Sequence, residues 1–98
     1  MGLDAANLER FLVEWYGPRA PARSIGETAG RLNDGAASIS ARGAQIRLLM
    51  ALAVPADGYA FGVFAAESAE TVAQVCADAG APAERISAVV GWSNTGDY

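Results

Sequence analysis

Glu14 and Arg47 are the two side chains best suited to act together on a small molecule. Glu14 closes the run Arg10-Phe-Leu-Val-Glu14, and Arg47 opens Ile46-Arg-Leu-Leu-Met50; both segments read as strands. A carboxylate moves protons and a guanidinium polarises a carbonyl, so the pair facing an apolar groove would support acid–base chemistry. An ordinary ion pair, or a glutamate satisfied by backbone and water, is the competing reading, because such networks form in folded proteins without catalysis.

The rest of the inventory narrows the chemistry. There is no histidine, which removes the usual neutral-pH base and the commonest metal ligand. The seven basic residues are all arginine, so no lysine is present to form a Schiff base. Cys76 is the single cysteine. It has no base to ionise it and reads as a small hydrophobe on a helix rather than a nucleophile. No metal site and no cofactor are expected. The net charge is −4 and the arginines are scattered, which argues against nucleic acid as a partner. The longest apolar run, Leu48 to Val54, is far too short for a bilayer, and the opening Met1-Gly-Leu-Asp lacks the regions of a signal peptide. The expected location is cytoplasmic, with no membrane partner.

The elements that must position these residues follow from periodicity. Leu8 to Trp15 alternates as a strand, with Phe11, Val13 and Trp15 on one face and Arg10, Leu12 and Glu14 on the other. A proline-containing loop follows. Ser24 and Glu27 then form a capping-box pattern, and Ile25, Ala29, Leu32, Ala36 and Ile39 make one apolar helical stripe ending near Gly43. Gly30 and Gly35 within it point to close packing or local softness. Gln45 to Val54 is the second strand, with Ile46, Leu48, Met50, Leu52 and Val54 on one face. Pro55-Ala-Asp-Gly58 is a hairpin turn leading into Tyr59 to Ala66. Ser68 caps a second helix through Val72, Val75 and Cys76, which Gly80 and Pro82 stop. Arg85 to Trp92 is the last strand.

This βαββαβ order predicts an α+β, ferredoxin-like sandwich: a four-stranded antiparallel sheet with both helices on one face. It forms one domain over residues 1–98, with a core of about 8–92 and a frayed tail at 93–98. The uncovered face then presents Arg10, Leu12 and Glu14, with Gln45, Arg47 and Leu49, and Arg85, Ser87 and Val89. For the third strand, Ala60, Gly62 and Phe64 are the expected open set, the bulkier Tyr59, Phe61 and Val63 being assigned to the helices. Strand three should separate strands one and two, putting Glu14 and Arg47 about 10 Å apart with Gly62 leaving a gap between them. Trp15 and Trp92 end strands, where aromatics bury a sheet or line a pocket mouth. Tyr16 and Tyr59 are neighbouring proton donors or plain surface residues. A face this apolar suits a small-molecule cleft or a dimer interface, including a closed dimeric α/β barrel.

Several short segments carry a family resemblance: Leu12-Val-Glu14, Ile46-Arg-Leu48, Val54-Pro-Ala-Asp57, Phe61 to Phe64, Ala66-Glu-Ser-Ala-Glu-Thr-Val72 and Ala79-Gly-Ala-Pro82 with Arg85-Ile86. Together they resemble the small actinobacterial nickel-binding-protein-like family, over about Leu8 to Trp92. The resemblance implies a ferredoxin-like subunit that dimerises. Its metal-binding members are expected to use histidine, so nickel binding does not carry over to a chain without one.

The resulting expectation is a small-molecule-binding homodimer, working as a cofactor-independent cyclase or isomerase of bacterial biosynthesis. Such reactions need enclosure and one or two polar groups but no covalent nucleophile. Glu14 and Arg47 are the catalytic candidates, with Arg10, Leu12, Leu49, Gly62, Phe64, Trp15 and Trp92 lining the ligand. A non-catalytic carrier using the same pocket, or a nickel-binding-like protein, are the alternatives.

Overall fold

The computed structural model describes residues 8–91. The expected lead-in over Met1 to Asn7, the lining role of Trp92 and the tail from Ser93 to Tyr98 lie outside the described residues. Strand β1 is Glu9–Tyr16, helix α1 Ile25–Ala41, β2 Ile46–Val54, β3 Tyr59–Ala66, α2 Ala69–Asp78 and β4 Arg85–Val89. A single 3-10 turn, Pro55–Asp57, joins β2 to β3, and Gly58 completes it at φ 59°, in the left-handed region. All pairings are antiparallel and the strand order is β2-β3-β1-β4, the ferredoxin-like arrangement.

The helices form for the reasons the sequence suggests, with one exception. Ser68 caps α2, its Oγ accepting the Thr71 N–H at 3.2 Å. At the other end of α2 the Gly80 N–H donates to the Ala77 carbonyl and the Ala81 N–H to the Cys76 carbonyl, a Schellman motif with Gly80 at φ 77°. Ser24 occupies the N-cap of α1 but makes no side-chain capping bond, so the expected capping box does not form. At its far end Ser40 Oγ donates to the Ile46 carbonyl at 2.9 Å and ties α1 to the start of β2. Of the two helical glycines, Gly35 lies against α2, where a Cβ would meet Val75 at 3.5 Å; Gly30 faces open space.

Between these helices and the sheet sits the core. Trp15, Phe64, Leu32, Val13, Val72, Val75 and Cys76 are its largest fully buried apolar side chains. The Trp15 indole N–H donates to the Ala81 carbonyl at 2.8 Å, so the α2 terminus satisfies the one polar atom of that ring. Arg31 reaches from α1 to the Ala79 carbonyl at 2.9 Å and secures the same corner.

Two sequence expectations about sheet faces are overturned. Register pairs Phe64 with Phe11, Gly62 with Val13 and Ala60 with Trp15, so Ala60, Gly62 and Phe64 face the helices. Tyr59, Phe61, Val63 and Ala65 take the open face instead. The reason is volume: a Cβ on Gly62 would already be in van der Waals contact with the Trp15 ring at 3.6 Å and the Met50 carbonyl at 3.4 Å, which leaves no space for a larger side chain beside the indole. Strand β2 changes face partway. Leu48 pairs with Phe64 and Met50 with Val63, leaving Leu49 as the extra residue of a β-bulge. One inserted residue reverses the alternation. Ile46 and Leu48 therefore face the helices as expected, but beyond the bulge Ala51 and Ala53 do so, and Met50, Leu52 and Val54 face outward.

Candidate ligand-binding face

The open face can be laid out from the pairing alone. One end row runs Arg47, Ala65, Arg10, Val89 across β2, β3, β1 and β4. The next is Met50, Val63, Leu12, Ser87, and the third Leu52, Phe61, Glu14, Arg85. Val54, Tyr59 and Tyr16 close the far end. An apolar strip thus crosses the middle of the sheet, with charges at its two ends.

Glu14 organises the far end. Its Oε1 accepts a hydrogen bond from the Tyr59 hydroxyl at 3.2 Å, and its Oε2 lies 4.0 Å from Arg85 Nε. The glutamate side chain is 18% exposed and the arginine 67%, so the ion pair is solvent-screened and the carboxylate is the sheltered member. Partial desolvation, then the Glu14 carboxylate and the bond to it, and lastly Tyr16, hold the Tyr59 phenol above its ordinary value of 10.0. Tyr59 therefore stays protonated at neutral pH and remains a donor. Its ring lies 5.9 Å from that of Phe61, which covers the adjoining apolar surface. A carboxylate acceptor and a phenol donor sit at one spot on an apolar floor, an arrangement that can orient a small polar group and exchange a proton with it.

Several expected residues do not join this site. Arg47 is on the open face, but the register sets it opposite Ala65 and Arg10, not opposite Glu14. Four residues along and two strands across put the two residues about 16 Å apart, so they do not act as a pair. Gly62 and Phe64 are on the helix side, and Gly62 leaves its gap to Trp15 rather than between Glu14 and Arg47. Trp15 is 2% exposed in the core and cannot reach a ligand on the open face. Leu49 is the unpaired residue of the bulge. Arg10 and Leu12 do lie on the open face as expected.

Two participants carry a signal in the sequence that only strand pairing completes. Tyr59 follows the hairpin glycine, Gly58, and stands out as a hydroxyl donor, yet only register brings it to Glu14. Arg85 is exposed on the expected open face, and its pairing with Glu14 depends on the β1–β4 offset. Cys76 belongs to the core, where burial pushes its thiol from 9.0 up to about 12 and leaves it unreactive at neutral pH. Among the described residues no three acidic or cysteine side chains converge, and no helix is long and apolar enough to cross a membrane.

A solved structure shares this architecture. The chain is similar to SCO4226 from Streptomyces coelicolor A3(2) at TM-score 0.64 and 20% identity, over 86% of this chain and 99% of that one. At this identity the likeness speaks for the fold alone. No family model matches the sequence, and no curated protein matches it.

Proposed function

We propose that this chain is a small-molecule-binding protein that works as a homodimer, two open sheet faces closing over one organic ligand. The observation that carries the reading is the open face itself. Leu12, Met50, Leu52 and Phe61 form an apolar strip around the buried Val63; Leu52 is 48% exposed, and Val54 beside it is 40% exposed. Sheets of this kind are covered by a second layer, and face-to-face packing at about 10 Å leaves room for a ligand where short side chains such as Ser87 and Ala65 line the gap. Glu14 and Tyr59 supply the polar contacts that fix its orientation.

The same pair supports a cofactor-independent isomerase or cyclase as the catalytic form of this reading. Glu14 would move the proton and Tyr59, in place of Arg47, would donate to the developing oxyanion. A nickel role is not part of the proposal, because the borderline metal prefers nitrogen or thiolate donors and the only thiol is a core residue.

Sedimentation velocity at micromolar concentration tests the assembly. The wild type is expected to run as a dimer, and Phe61→Asp as a folded monomer with unchanged circular dichroism. A wild-type monomer across that range sinks the reading.

A further inference from the structure

We infer that Arg10 and Arg47 form an oxyanion site on the open face, and that the ligand it takes is an amphipathic carboxylic acid. This names a ligand class for the face described above and rests on that reading for its apolar strip.

Both arginines are register partners of Ala65, one from each side, so a single methyl group separates two long cationic side chains whose Cα atoms are about 10 Å apart. The chain as a whole carries −4, yet this face holds three arginines against one carboxylate. Glu14 is already engaged, by Tyr59 and Arg85, at the other end. Among the described residues Arg85 is the arginine with a carboxylate partner; Arg10 and Arg47 have none. Arg10 Nε is moreover buried without an acceptor, an uncompensated charged donor whose cost an oxyanion on the same guanidinium would offset.

The ligand chemistry follows from the layout. A carboxylate meets the two guanidinium groups above Ala65, and the apolar body lies over Leu12 and Met50, the half-buried residues on either side of Val63. About 13 Å along β1, Glu14 accepts a hydrogen bond, so a hydroxyl or amine at the far end of the molecule completes the match.

Isothermal titration with decanoate, decanol and inorganic phosphate, each below its aggregation limit, tests this on the intact chain. Decanoate is expected to bind at least about ten-fold more tightly than decanol, and Arg10→Gln and Arg47→Gln each to weaken decanoate about ten-fold or more while leaving decanol unchanged. Arg47 is exposed, so its variant keeps the fold even if the Arg10 variant does not. Equal binding of decanoate and decanol overturns the inference, as does wild-type affinity in Arg47→Gln. Phosphate binding as tightly as decanoate also overturns it, by showing a bare anion site. So does an Arg47→Gln chain that loses only dimerisation, which would make a second copy the arginine's partner. A wild-type monomer with arginine-dependent decanoate binding keeps this site and rejects the homodimer. A dimer indifferent to decanoate does the reverse.

Discussion

On the helix side of the sheet Trp15 is 2% exposed and Val13 and Phe64 are fully buried, whereas on the open side Leu52 is 48% and Val54 40% exposed. The same four strands build both. The covered side is a fitted one: a large residue on β1 stands against small ones on β3, and the indole finds its hydrogen-bond acceptor at the end of α2. The open side has comparable hydrophobic content but no such fit. It combines an apolar strip with a Glu14–Tyr59 pair at one end and, at the other, two arginines that have no carboxylate partner among the described residues. Burial without complementary filling, next to unneutralised charge, is what separates a recognition surface from a core.

The largest test of this contrast is Trp15→Ala. Losing the indole, its cavity and its bond to Ala81 is expected to cost about 3–5 kcal/mol of unfolding free energy, measured by urea denaturation. A loss below about 1 kcal/mol would mean the helix side is not tightly fitted. Gly62→Val probes the same fit from the other strand. The added methyls press on the Trp15 ring and the Met50 carbonyl, and a destabilisation of about 1–3 kcal/mol is expected. If the variant is as stable as the wild type, the small residue is not there for the indole.

The finest test uses one titrating group from each side. Cys76 and Tyr59 are both raised, the first by burial and the second by desolvation together with Glu14. Glu14→Gln is therefore expected to bring the Tyr59 phenol down toward its ordinary value and to leave the Cys76 thiol unmoved, as followed by phenolate and thiolate absorbance. A folded-state value above the unfolded one means the native state holds its proton more tightly. The stabilisation from Cys76 is thus complete below pH 9.0 and is lost as pH rises toward about 12. Cys76→Ala should flatten the fall in urea midpoint over that interval, and an unchanged slope would remove the thiol from the account.

Much of the architecture was legible because alternation and capping are local. β1, the hairpin turn, the Ser68 cap and the Gly80 stop each follow from a few adjacent residues. The layout of the open face was less legible, because it depends on pairing. Nothing in Leu48-Leu-Met50 marks which residue the ladder will skip. Small residues such as Ala60 and Gly62 look like an open surface until the indole that fills their space is placed opposite them. The separation of Arg47 from Glu14 has the same origin, since strand order alone leaves the offset along the strands undetermined.

The bulge at Leu49 has one more consequence, for the borders of the sheet. β2 and β4 are the two outer strands, and an outer strand offers unpaired backbone groups to which a foreign strand can add. β4 is only five residues long and offers a short template. β2 has nine residues, enough to invite growth of the sheet from molecule to molecule. The skipped residue interrupts its hydrogen-bond spacing and twists it midway, so no long flat run remains for another chain to copy. The irregularity that turns Met50 and Leu52 outward thereby also guards the protein against polymerising through its longer border.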